Sequence, residues 1–196
     1  MNINTKYKST DDVKYDKEYI IIGNTKFGTI EDYEYSLTCS RPILPNYSID
    51  EKGGIFQFSD SRTKQNYLTD LNFNKRGIII TLENSGYLTK TNKNVLVDWR
   101  NKEYYGDIYN KLWQDKYSIW AKYTEKQYES LIYLTNKLIN ECNINRNVAK
   151  NNIVKSSTVK EGGVLYISNI IPTRLDLSPA FDYEYFKEQI TKNEEN

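Results

Sequence analysis

Three short runs of aliphatic and β-branched residues interrupt an otherwise polar chain. They are Tyr19–Ile22, Gly77–Leu82 and Val164–Ser168, and each is unbroken by charge. A continuous apolar run of this length, rich in isoleucine and valine, is typical of a strand that is buried on both faces. The three runs therefore predict the centre of a β-sheet.

A hairpin is predicted between the first two of these strands. Asn46–Ile49 and Ile55–Phe58 are strand-like, and the five residues between them contain two glycines. A glycine-containing connection of this length between two such runs is typical of a β-hairpin.

Helices are predicted around the strands. Thr124 and Gln127 form a capping box, and an apolar stripe follows at spacings of three and four as far as Cys142. Shorter helices are predicted over residues 30–37 and over Phe181–Ile190. Strands that alternate with helices, together with one hairpin, indicate an α/β fold with a central mixed β-sheet flanked by helices.

The chain has 196 residues, which is room for one domain. We expect an N-terminal arm over residues 1–16, a domain over 17–190 and a polar tail over 191–196. Residues 87–122 carry all three tryptophans and are predicted to be an extended excursion over the surface.

Composition limits the chemistry that the chain can perform. It has no histidine, which excludes Ser–His–Asp and Cys–His mechanisms and every histidine-ligated metal site. Its net charge of +1 gives no field that would attract nucleic acid. Cys39 and Cys142 are too few for a disulfide scaffold, and we interpret them as small packing residues rather than zinc ligands.

No apolar run is long enough to span a membrane, and the first dozen residues have no apolar core of a signal peptide. We therefore expect a soluble protein without a signal peptide. Its compartment is not predicted.

Five segments, in order, resemble the zinc-dependent N-acetylmuramoyl-L-alanine amidases (type 2), which share a fold with peptidoglycan recognition proteins. Ile20–Thr25 is similar to the first strand of that family, and Asn46–Gln57 to its hairpin. Arg76–Leu88 resembles a middle strand, and Tyr123–Gln127 the start of a long helix. Val164–Arg174 resembles the last strand and the loop after it. The resemblance implies one amidase-like domain.

In that family, two histidines and an aspartate or cysteine hold a zinc ion whose bound water attacks the amide. By the resemblance, Gly23 and Ile167 stand at the two histidine positions, and Asp176 aligns with the third ligand. Thr81 stands where a glutamate is common. Glycine and isoleucine cannot ligate zinc, so the resemblance implies a degenerate member without zinc or another cofactor.

From this we expect a protein that is not an enzyme. We expect it to bind peptidoglycan fragments or to serve as a structural or assembly component of a bacteriophage virion. The candidate groove residues are Asn24, Tyr47, Thr81, Glu83 and Arg174. The alternative is an active cell-wall hydrolase that uses other groups, such as Asp176 and Glu83.

Overall fold

The computed structural model describes residues 1–6, 13–25, 29–30, 33, 43–113, 116–149, 162–171, 174 and 177–192. Cys39, Asp176 and most of the helix predicted over residues 30–37 lie outside these ranges.

A six-stranded sheet in the order β1-β4-β3-β5-β2-β10 forms the centre of the molecule. All its pairs are parallel except the β3–β4 hairpin, so the predicted mixed sheet is confirmed. The arm that we expect over residues 1–16 contributes the edge strand β1. The six strands are β1 (Ile3–Asn4), β2 (Tyr19–Asn24), β3 (Tyr47–Ile49), β4 (Ile55–Gln57), β5 (Gly77–Leu82) and β10 (Gly163–Tyr166).

The three predicted central strands are adjacent in the sheet. Every residue of β2, β5 and β10 is buried, as their unbroken apolar runs require. The last of them is shorter than predicted. The chain turns into a helix at Ile167, because Asn169 Oδ1 accepts a hydrogen bond from the backbone N–H of Tyr166 at 2.7 Å.

The described residues contain four helices of at least one turn. They are α1 (Leu71–Arg76), α2 (Glu125–Cys142), α3 (Ile167–Ile170) and α4 (Tyr183–Thr191). The predicted capping box of α2 is present, with Thr124 and Gln127 bonded reciprocally. The terminal helix is confirmed; it begins two residues later and ends one residue later than predicted. None of the helices described is long and apolar enough to cross a membrane.

The excursion over residues 87–122 consists of two small hairpins outside the central sheet. They are β6 (Thr89–Lys90) with β7 (Leu96–Val97), and β8 (Ile108–Trp113) with β9 (Tyr117–Ala121). Trp120 anchors the second hairpin because its ring is buried and its indole N–H donates to the carbonyl of Lys111 at 2.9 Å.

Candidate functional site

Gly23 and Ile167 occupy the end of the sheet where β2 and β10 finish side by side. A β-carbon added to Gly23 would lie 2.2 Å from Cδ1 of Ile167 and 2.8 Å from its Cγ1. The isoleucine side chain, 1% exposed, therefore fills the space above the glycine backbone. The two residues form one packed apolar unit.

This unit does not fit a zinc ion. Zinc in proteins is bound by nitrogen, sulfur or carboxylate oxygen, and neither residue has such an atom in its side chain. Within the described residues, no group of three or more aspartates, glutamates or cysteines converges in a way that could hold a metal.

One residue further along β2, the chain becomes polar. Asn24 accepts a hydrogen bond from Tyr123 at its side-chain Oδ1 (2.8 Å) and one from Tyr67 at its backbone carbonyl (3.1 Å). The Nδ2 donor of Asn24 makes no hydrogen bond with the residues that the structure describes. Asn24 is thus fixed in place by two tyrosine hydroxyls.

A small cleft of about 160 Å³ opens beside Asn24. We define it by the residues Asn24, Thr25, Asn84, Trp99, Trp120 and Arg174. Arg174 is the one charged side chain among its described lining residues. The remainder are amides, hydroxyls and aromatic rings, a composition that suits a neutral polar ligand with flat apolar faces.

The hydroxyl of Thr25 is an unsatisfied polar group at this cleft. Thr25 is 7% exposed, and its Oγ1 is buried without a hydrogen-bond partner in the described part of the chain. Buried hydroxyls are normally paired, because leaving one unpaired costs about 1–3 kcal/mol. Such an atom at a cleft is typical of a site that completes its hydrogen bonds with a ligand.

Asn84 joins the end of β5 to the outer hairpins. Its Nδ2 donates to the backbone carbonyl of Lys122 at 3.2 Å, and its Oδ1 accepts from the N–H of Gly86 at 2.8 Å. This side chain therefore fixes the strand β9, and with it Trp120, against the edge of the sheet.

A hydrogen-bonded loop carries Trp99 into the lining of the small cleft. The carboxylate of Asp98, 2% exposed, accepts hydrogen bonds from the backbone N–H groups of Arg100 (2.8 Å) and Lys102 (2.9 Å) and from the Arg100 guanidinium (2.9 and 3.0 Å). Burial opposes the charge, but these bonds outweigh it and lower the pKa of Asp98. Trp99 is 51% exposed, with the Arg100 guanidinium 5.7 Å from its ring centroid.

A large cleft of about 830 Å³ lies on the other side of Ser85, which lines both clefts. We define it by Glu51, Glu83, Arg100, Lys102, Lys122 and Lys126. Most of its lining residues are charged, and both signs are present. Burial, aided by the charges of Glu51 and Asp107, raises the pKa of Tyr104 in its wall to about 12, so this phenol stays neutral.

The walls of the large cleft are held by the start of α2. Thr124 Oγ1 donates to the carbonyl of Glu51 (2.8 Å), and Ser130 Oγ donates to that of Gly53 (2.6 Å). Gln127 Nε2 donates to the carbonyl of Glu83 (2.7 Å). One helix end therefore fixes both the hairpin turn and the end of β5.

The structure divides the residues that the sequence singled out as a groove. Asn24 and Arg174 line the small cleft, and Glu83 lines the large one. Tyr47 and Thr81 lie in the interior, 3% and 0% exposed, and line neither cleft. Burial raises the pKa of Tyr47 to about 12, and Thr81 donates to Ser48 Oγ at 2.9 Å. Cys142 is a free, half-buried thiol on α2.

Sequence reasoning missed Thr25, Asn84 and Trp99. The sequence offered two indications of them: the turn residues Glu83–Gly86 after Leu82, and the three tryptophans in residues 87–122. Neither shows which side chains meet, because the cleft joins residues from position 24 to position 178.

No protein-family model matches the sequence, and no curated protein is significantly similar to it. Solved structures do match. The N-acetylmuramoyl-L-alanine amidase LysC from Clostridium intestinale URNW has a TM-score of 0.54 at 13% identity, over 97% of this chain and 98% of that one. The chain has the fold of the N-acetylmuramoyl-L-alanine amidases.

Two further structures agree with this fold. PlyL has a TM-score of 0.59 at 12% identity over 97% of each chain. The amidase AmiD from E. coli, solved with the substrate anhydro-N-acetylmuramic acid-L-Ala-D-gamma-Glu-L-Lys, has a TM-score of 0.55 at 15% identity. The match covers 92% of this chain and 60% of AmiD. The predicted amidase-like fold is confirmed.

The prediction that the chain is not an enzyme is wrong. It was drawn from the missing histidines, from Thr81 in place of the common glutamate and from the lack of a cysteine cluster. LysC, a second amidase from the same organism (LysCS) and AmiD, which match nearly the whole of this chain, are all amidases. The shared fold points to the amidases rather than to a non-enzyme. The packing of Gly23 against Ile167 supports a narrower statement, that these two positions supply no metal ligand.

Proposed function

We propose that this chain is a cell-wall protein, related to the amidases, that binds peptidoglycan fragments at the carboxyl edge of its sheet. The observation that carries the proposal is the small cleft beside Asn24, with the Thr25 hydroxyl, which is buried and unpaired among the described residues, and the Arg174 guanidinium. A hydroxyl and a cation suit the amide carbonyl and hydroxyl oxygens of a muropeptide.

The test is calorimetric titration with the fragment that AmiD binds, anhydro-N-acetylmuramic acid-L-Ala-D-gamma-Glu-L-Lys. We expect saturable binding, and we expect Arg174→Ala to weaken it by about tenfold, as the loss of one charge-assisted hydrogen bond would. Arg62→Ala is the matched control, because Arg62 lines neither cleft and donates to the carbonyl of Glu141. Absence of binding by the unchanged protein would refute the proposal.

A second candidate function is hydrolysis of the same ligand, which the amidase fold favours. Glu83 is the described carboxylate that follows β5, and it lines the large cleft with Ser85, where the two clefts meet. In this candidate the Glu83 carboxylate takes a proton from water, the water oxygen bonds to the amide carbon, and the carbon–nitrogen bond breaks with the proton passing to the leaving amine.

Mass spectrometry of the digested fragment tests this candidate. We expect release of the tripeptide by the unchanged protein and its loss in Glu83→Gln, which keeps the size and removes the base. Because zinc does not fit beside Gly23 and Ile167, we expect the rate to be unchanged by a chelator. Turnover that persists in Glu83→Gln would exclude this residue.

A role in a bacteriophage virion remains a prediction with one supporting feature. The β8–β9 hairpin exposes Tyr109 and Leu112, 37% and 61% accessible, outside both clefts. Exposed apolar side chains on a projecting hairpin suit a contact with another subunit. Co-purification of virion proteins with the tagged chain, lost on Leu112→Lys, is the measurement that checks it.

A further inference from the structure

We infer that the two clefts divide one ligand, with the sugar ring against Trp99 in the small cleft and the ionised peptide in the large cleft. This inference rests on the proposed function. It assigns Trp99 as the residue that distinguishes a glycan-bearing fragment from a free peptide.

The first step is the contrast in charge between the clefts. Arg174 is the one charged residue among the described lining of the small cleft. The large cleft is lined by several lysines and acidic residues and by one arginine, so it presents charges of both signs. A peptidoglycan fragment has the same division, with a neutral N-acetylated sugar at one end and a peptide with carboxylates and an amine at the other. Each half meets the chemistry that suits it.

The second step is the continuity of the two clefts. Ser85 lines both of them, so a ligand that lies across Ser85 occupies the two at once. Gly86 follows with a φ of +72° and no atom within 4 Å of where a β-carbon would stand, so the backbone leaves room above this junction. A side chain as small as serine keeps the passage open.

The third step is the presentation of Trp99. An indole that is half exposed at a cleft mouth offers a flat apolar face of the kind on which sugar rings stack. The loop beneath it is fixed by four hydrogen bonds to the Asp98 carboxylate, so the backbone that carries the ring is ordered before any ligand arrives. Binding to a preordered loop costs little conformational entropy.

The experiment compares three probes by calorimetry: anhydro-N-acetylmuramic acid-L-Ala-D-gamma-Glu-L-Lys, the free tripeptide, and N-acetylmuramic acid. We expect Trp99→Ala to weaken binding of the first by about tenfold or more while leaving the free tripeptide unchanged. Lys102→Ala, in the large cleft, is expected to weaken both peptide-containing probes equally. Leu112→Ala is the matched control, because Leu112 is similarly exposed and lines neither cleft.

Tryptophan fluorescence gives a second readout. We expect the glycan-bearing probe to shift the emission of the unchanged protein. We expect most of the shift to be lost in Trp99→Phe, which keeps an aromatic face and most of the affinity and leaves the buried Trp120 of the same cleft as the remaining reporter. If the unchanged protein binds none of the probes, the proposed function fails. If it binds the glycan-bearing fragment and Trp99→Ala weakens all probes alike or none, this inference alone is overturned.

Discussion

At the amino ends of β2 and β5, the buried ammonium of Lys17 donates to three carbonyl oxygens, of Thr63 (2.8 Å), Lys75 (2.7 Å) and Gly77 (3.0 Å). At the carboxyl end of β2, the buried Thr25 hydroxyl has no partner among the described residues. One end of the sheet is saturated with hydrogen bonds, and the other is left incomplete. Stability is concentrated at the first end and ligand chemistry at the second.

Gly23 and Ile167 form the apolar boundary of the incomplete end, next to Asn24, and breaking their contact has the largest expected effect. We expect Gly23→Ala to cost about 3 kcal/mol of the free energy of unfolding through overpacking, and Ile167→Ala to cost about 3 kcal/mol through a cavity. Because the alanine at position 23 would occupy part of that cavity, the double variant is expected to cost less than about 3 kcal/mol, well below the sum of the two single costs.

Urea denaturation of the four proteins measures this cycle. Additive costs in the double variant would show that the two side-chain positions do not share one space. Calorimetry on the Ile167→Ala variant is a separate measurement. It reports whether the clefts still bind a ligand when the packing of residue 167 on Gly23 is lost.

The saturated end is probed through Lys17. Burial lowers the pKa of Lys17 to about 8 in the folded chain, against 10.5 for an exposed lysine. Between these values the unfolded chain still holds a proton that the folded chain has released, so the free energy of unfolding rises with pH. Between about pH 7.5 and about pH 9.5 we expect the free energy of unfolding of the unchanged protein to rise by about 2 kcal/mol more than that of Lys17→Met.

Denaturant unfolding of both proteins at several pH values is the measurement for Lys17. The comparison with Lys17→Met removes the contributions of cysteine and tyrosine residues that titrate in the same range. Identical pH dependence in the two proteins would mean that Lys17 keeps an ordinary pKa in the folded chain.

The incomplete end is probed by Thr25→Val, with the smallest expected effect. The change removes a buried hydroxyl without a partner and keeps the shape, so we expect the unfolding free energy to rise by about 1 kcal/mol while binding of the muropeptide weakens. Thr135→Val is the matched control. Thr135 on α2 also has a buried hydroxyl without a partner among the described residues, and it lines neither cleft. We therefore expect Thr135→Val to raise the free energy of unfolding by a similar amount without weakening binding of the muropeptide.

Equal affinity of Thr25→Val and Thr135→Val for the muropeptide would contradict a role of the Thr25 hydroxyl in binding. A fall in stability of Thr25→Val would instead reveal a hydrogen bond of this hydroxyl within the free protein.

The sheet was predictable from sequence because β2, β5 and β10 are buried on both faces, and such strands need unbroken apolar runs. Helix α1 was not predicted. It has six residues with little apolar periodicity, and it begins because Asp70 accepts from the N–H groups of Asn72 and Phe73.

The candidate site was only partly predictable. The resemblance to the amidases predicted Asn24 and Arg174 as groove residues, and both line the small cleft. It did not predict Trp99, because its position depends on the Asp98 carboxylate and on contacts between hairpins that no local pattern encodes. Tyr47 and Thr81 were placed in a groove by alignment, but they lie inside the sheet layer, where side chains on successive strand residues alternate between faces.

The fit between Gly23 and Ile167 also determines the order in which these two positions can be substituted. A side chain at position 23 overlaps the isoleucine at position 167, and the overlap grows with its size, so the route toward a large side chain at the first position starts with a smaller residue at the second. That first step leaves a hole in the core and lowers stability before anything is gained. Only a variant of this chain with stability in excess of what folding requires could therefore tolerate the replacement of this pair.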